Sequence, residues 1–86
     1  MAKYKITFKK SVAKDLRVIP NQHLVKILNR IDKLAENPRG DGCIKLSGSE
    51  RYRIRQGVYR ILYEIIDARL VVQVVKVGHR SSVYDS

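Results

Sequence analysis

Cys43 is the only cysteine in the 86-residue chain, so an internal disulfide is excluded. No apolar block follows Met1 that would act as a leader, and a reducing cytoplasm is the expected compartment. Tryptophan is missing and proline occurs only at Pro20 and Pro38, which leaves few positions where the chain must break. No apolar run approaches the ~18 to 20 residues of a membrane helix, so a soluble chain with no membrane partner is expected. Acidic residues are scarce, and the few there are do not gather with His or Cys at metal-ligand spacing. Gly40-Asp41-Gly42 has none of the architecture of a phosphate-cradling loop and reads as a simple connection. Neither a metal nor an organic cofactor is expected.

What the chain does have is core material and positive charge. Hydrophobic residues make up 44%, enough for one small domain over residues 1–86 and too little chain for a second. Eighteen Lys and Arg stand against eight Asp and Glu, a net charge of +10. A field of that size draws polyanions, which selects ribosomal proteins, nucleic-acid modules, nucleases and proteins with an acidic partner without choosing among them. The arrangement of the charges has to choose.

Tyr4, Ile6 and Phe8 alternate with Lys3, Lys5, Thr7 and Lys9, the pattern of a half-buried strand. Val12, Leu16 and Ile19 recur at helical spacing up to Pro20, and Asn21 offers a cap for the next helix. That second helix carries an apolar stripe of Leu24, Ile27, Leu28, Ile31, Leu34 and Ala35, with Lys26, Asn29, Arg30, Lys33 and Glu36 outward, and ends at Asn37-Pro38. Residues 39–50 read as a loop with a short extended piece at Ile44 to Leu46. Two alternating segments then flank Gln56-Gly57: Tyr52 and Ile54 between arginines, and Tyr59, Ile61, Tyr63 and Ile65. After a turn near Asp67-Ala68, the run from Leu70 to Val77 is apolar on both faces apart from Gln73 and Lys76, as an interior strand would be. The expected fold class is α+β in the order strand-helix-helix-strand-strand-strand, with a mostly antiparallel four-stranded sheet and the helix pair on one face. The other face stays open.

With Gln56-Gly57 as the loop, Arg53 lies across from Arg60 and Arg51 across from Leu62. Like charges directly opposite on a sheet cost up to ~1 kcal/mol, so the pair points to a surface that receives an anion, although a solvated basic face reads equally well from the hairpin alone. Arg80 and Tyr84 follow the last strand and come within reach of the patch; a guanidinium grips phosphate in bidentate fashion and a tyrosine stacks on an unpaired base. Imidazole is the side-chain type suited to proton transfer at neutral pH, which makes His79 a candidate acid or base, against a plainer and favoured reading as a solvent-facing residue. Glu64 reads best as a salt-bridge partner of Arg51, His23 as surface, and Cys43 as incidental.

The ordered set of local features resembles the RelE branch of the RelE/ParE toxin superfamily over nearly the whole chain. It comprises Leu16 to Pro20, Leu34 to Pro38, Lys45-Leu46-Ser47-Gly48, Tyr52-Arg53-Ile54-Arg55, Gly57 to Tyr63, Asp67, Val77-Gly78-His79-Arg80 and Val83-Tyr84. The resemblance implies a toxin of a type II toxin-antitoxin system that cuts messenger RNA in the ribosomal decoding site. It needs no metal there, because the adjacent ribose 2′-hydroxyl is the nucleophile. It assigns Arg53 and Arg55 to two basic strand positions, Arg60 to phosphate binding, Arg80 to the leaving group and Tyr84 to orienting a base. Lysines stand at the first two positions in the best-known members, and arginine, with a pKa above ~12, is a poor proton acceptor. The implied partners are the ribosome with its messenger and a cognate antitoxin whose toxin-binding segment is acidic, joined in a hetero-oligomer. Two alternatives share the architecture: a ParE-like inhibitor of DNA gyrase without nuclease activity, and a catalytically silent RNA-binding domain.

Overall fold

In the computed structural model, residues 3–48 and 50–79 are described. Strand β1 (Lys5–Phe8) leads into helices α1 (Lys10–Arg17) and α2 (Asn21–Leu34), and strands β2 (Ile44–Lys45), β3 (Arg51–Gln56), β4 (Tyr59–Ile66) and β5 (Val71–His79) follow. The sheet order is β1-β5-β4-β3-β2, with β1 parallel to β5 and the other pairs antiparallel. The α+β class, the order of elements and the helix pair on one face are as expected, and β5 is an interior strand. The sheet has five strands where four were expected, because the extended piece at Ile44 pairs with Arg53 and so joins the edge. Asn21 begins α2 instead of capping it, since Pro20 holds the cap position, where its missing N–H costs nothing.

The core lies between helices and sheet. Val12 and Ile19 from the α1 region and Ile27, Ile31 and Leu34 from α2 pack against Ile54, Ile61, Tyr63, Val72, Val74 and Val77. Every one of these sheet residues is on the helix side, as alternation along each strand requires. Each fully buried Ile or Val adds ~1.5 to 3 kcal/mol of transfer free energy, so the stripes that define the helices also fix which way the sheet faces. Tyr63 buries its hydroxyl with the ring and donates it to the Pro38 carbonyl at 2.6 Å. Burial first, and the Cys43 thiol beside it second, push that phenol well above its ordinary pKa.

Strand β5 steps irregularly. Val72, Val74 and Val77 face the helices, and the three-residue step between the last two is a bulge opposite Leu62 and Tyr63. Val75 therefore turns to the other face. Beyond Phe8 the edge of β5 has no strand neighbour among the described residues, and the Asp15 carboxylate of α1 accepts the Val77 N–H there at 3.2 Å.

A second set of contacts ties the ends of the elements together. Arg39, just past α2, grips Asp67 with both guanidinium nitrogens at 3.1 and 2.7 Å, while the Tyr4 hydroxyl donates to the same carboxylate at 2.7 Å. The Arg39 hydrogen bonds, followed by that of Tyr4, hold the Asp67 carboxyl down at about 2, below the ordinary ~3.9 of an unfolded chain. The unfolded state thus binds the proton first as pH falls. The contribution is complete above about pH 4 and is lost on the way down through about 2. Urea unfolding across this window should show wild-type stability falling with acid more steeply than that of Asp67→Asn. Equal slopes for the two proteins would deny Asp67 this role.

Candidate nucleic-acid interface

The hairpin that carries the arginines turns at Gly57-Val58, one residue later than expected, with Gln56 paired to Tyr59. Gly57 has a φ of 60° while Val58 is not left-handed, so glycine occupies the first central position of the turn, as in type II′. The expectation had glycine second, as in type I′. The register consequently moves by two residues: Arg55 lies across from Arg60, Arg53 across from Leu62 and Arg51 across from Glu64. A shift of two preserves the faces. Arg53 and Arg60 share the face away from the helices as diagonal neighbours, and Ile54 and Ile61 are buried on the other.

Three cross-strand rows make up the exposed face. Arg55, Arg60 and Gly78 form the first, Arg53 and Leu62 with the bulged segment of β5 the second, and Arg51, Glu64 and Gln73 the third. Gly78, opposite Arg60, adds no side chain to the first row. Leu62 and Val75 are buried here with Leu46, giving the otherwise open face an apolar floor. The Nε atoms of Arg53 and Arg60 are buried as well, so these arginines rest their stems on the floor and carry their heads along the surface. Arg51 lies 3.6 Å from Glu64, the salt bridge expected for that carboxylate.

His79 does not join this group. Its pairing with Tyr59 puts it on the helix side of the sheet, edge-on to the Tyr59 ring at 6.0 Å. His23, read from sequence as surface, packs on the same tyrosine at 5.5 Å. Arg80 and Tyr84 lie outside the described residues. The arrangement seen is therefore Arg53, Arg55 and Arg60 converging over a partly apolar strand pair, which suits a phosphodiester and stacked or apolar groups beside it. Among the described residues no cluster of three or more His, Cys, Asp or Glu side chains that could hold a metal ion occurs, and no helix is long and apolar enough to cross a membrane.

Known proteins share both the sequence and the fold. The family described as the ParE toxin of the type II toxin-antitoxin system parDE matches residues 6–84. The RelE1 toxin of Methanocaldococcus jannaschii is 31% identical over 87 residues, covering 95% of this chain and 96% of that protein. The archaeal RelE–RelB complex of Pyrococcus horikoshii superposes with a TM-score of 0.81 at 29% identity, over 94% of this chain and 99% of the other. The intact RelBE toxin-antitoxin complex of Escherichia coli gives 0.78 at 28% identity, over 88% and 95%. The chain belongs to the RelE/ParE superfamily of type II toxin-antitoxin toxins.

Arg55 faces Arg60 across the hairpin, a like-charge pair whose repulsion a bound anion would lessen. Arg55→Glu converts it to an opposite-charge pair and should raise stability by up to about 1 kcal/mol while weakening binding of polyanions. A urea midpoint that stays put or falls would show that the pair carries no stored repulsion.

Proposed function

We propose that this chain is a ribosome-dependent endoribonuclease that cuts messenger RNA in the decoding site, acting in the cytoplasm to stop translation. In the reaction the ribose 2′-hydroxyl attacks the adjacent phosphorus and loses its proton. The bond from phosphorus to the 5′-oxygen breaks, and that oxygen gains a proton. The products are a 2′,3′-cyclic phosphate and a 5′-hydroxyl. The observation that carries this reading is the convergence of Arg53, Arg55 and Arg60 on one face above the Leu62 floor. Negative charge builds on the non-bridging oxygens in the transition state, and preorganised guanidiniums at a partly dry surface stabilise it without rearranging. Arg80 is assigned to the leaving oxygen and Tyr84 to stacking on a base, on the strength of the resemblance. His79 is not assigned the proton, since it stands on the opposite side of the sheet. The Glu64 carboxylate is held by Arg51.

The same face is the proposed seat of the antitoxin. The Pyrococcus horikoshii and Escherichia coli RelE relatives were both captured with RelB antitoxins, and a chain of net charge +10 favours an acidic segment there. The toxin would then be stored as a hetero-oligomer with its RNA face covered.

The ParE family match supports a second reading, inhibition of DNA gyrase without cleavage of RNA. Single-turnover cleavage of ribosome-bound messenger separates the two. Removing one transition-state contact typically costs ~2.7 to 4 kcal/mol, so Arg60→Ala should be slower by roughly 100-fold or more, with its fold intact because Arg60 faces away from the core. His79→Ala should stay within about threefold of wild type, since a residue outside the transition state removes none of its stabilisation. An Arg60→Ala protein as fast as wild type, or a wild type that cuts nothing, would end the nuclease reading.

A further inference from the structure

We propose that a second phosphate subsite lies at the β3 edge, where Arg30 of α2 meets Arg53 and Arg55, and that it holds the RNA chain flanking the scissile nucleotide. The proposal rests on the RNA reading above and extends it beyond the arginine face. Strand β2 covers β3 only at Tyr52 and Arg53. Continuing that register past Ile44 brings Gly42 level with Arg55, and there the loop bends away and the sheet edge opens. A cleft of about 250 Å³ occupies the gap, lined by Arg30, Gly42, Ile44, Arg53 and Arg55.

The cleft depends on how Arg30 is held. This residue stands on the polar side of α2, yet its side chain is half-buried and donates to the Asp41 carbonyl at 2.9 Å. One nitrogen of the guanidinium is thereby fixed at the lining of the cleft, and less side-chain entropy is lost when an anion binds. Gly42 makes room for it. A Cβ there would come within 3.2 Å of the Arg30 Nη2, and the φ of 84° is one that side-chain-bearing residues avoid. Ile44, half-exposed and paired with Arg53, supplies an apolar wall where a nucleoside can rest. Three guanidiniums and one apolar wall at a strand edge match a phosphodiester with its nucleoside better than they match a small anion. The cleft is continuous with the Arg55–Arg60 row, so one RNA strand can cross both.

The test compares binding of two 2′-O-methyl oligonucleotides, which cannot be cleaved: a dinucleotide with one phosphate, and a hexanucleotide long enough to reach the cleft. Arg30→Gln keeps a donor for the Asp41 carbonyl and removes the charge. The variant should bind the hexanucleotide about fivefold more weakly, with a logarithmic salt slope shallower by about 0.7, and bind the dinucleotide as wild type does. Arg30→Lys should recover most of the loss. If Arg30→Gln does not fold, Ile44→Glu at its exposed position should give the same selective loss. Wild type binding neither oligonucleotide would overturn this subsite, while the RNA reading stands or falls on cleavage of ribosome-bound messenger. Wild type binding both, with Arg30→Gln unchanged or weakened equally for the two, would overturn the subsite alone. A variant that loses affinity only for an acidic peptide would assign the cleft to a protein partner and likewise overturn it.

Discussion

Ile54 and Ile61 face each other across the β3–β4 hairpin, both fully buried beneath the helices. Their pairing holds the functional surface in place. Because side chains alternate along a strand, seating these two isoleucines in the core obliges Arg53, Arg55 and Arg60 to project from the opposite face. A slip of one residue would bring guanidiniums under α2, where an unpaired charge costs several kcal/mol, and would expose the isoleucines. The buried isoleucine pair and the basic face are therefore two consequences of one alternation, and the arginines stay aligned as long as the core does.

What lies beneath the arginines matters as much as their number. The bulge in β5 lets Val74 and Val77 both reach the core while Val75 joins Leu62 and Leu46 below the guanidiniums. Stems resting on an apolar floor lose little freedom on binding, and charge at a partly dewatered surface acts more strongly on a phosphate than the same charge on a mobile side chain in water. The Arg39–Asp67 clamp stands apart from this face and links the α2 exit to the β4–β5 turn. Preorganisation here comes from packing and from end-to-end ties, in a chain with no disulfide available to supply it.

Much of this was legible in the sequence. Period-two alternation from Arg51 to Ile65 revealed both strands and both faces, and the 3.6-residue stripe from Leu24 to Ala35 revealed α2. The turn was misplaced by one residue because Gln56-Gly57 satisfies a type I′ pattern as readily as Gly57-Val58 satisfies type II′; only the tertiary register separates them. The bulge left no local signal, since Val74, Val75 and Val77 are all apolar and alternation cannot show which one is displaced. His79 was grouped with the arginines through its nearness in sequence, and the register of β5 against Tyr59 moves it to the other face. Arg30 looked like one more exposed helix charge. Its turn toward the sheet edge depends on the Asp41 carbonyl and on Gly42, eleven and twelve residues further along, which helical periodicity does not detect.

In the proposed reaction the arginine face stabilises attack by a ribose hydroxyl on the neighbouring phosphate. The most direct test is a ribosome-bound messenger carrying a single 2′-deoxy substitution at a mapped cleavage position. Cleavage at that position should disappear, and the unsubstituted messenger should yield a 2′,3′-cyclic phosphate facing a 5′-hydroxyl. Cleavage that persists at the deoxy position, or growth arrest marked by broken DNA with messenger left whole, would contradict it.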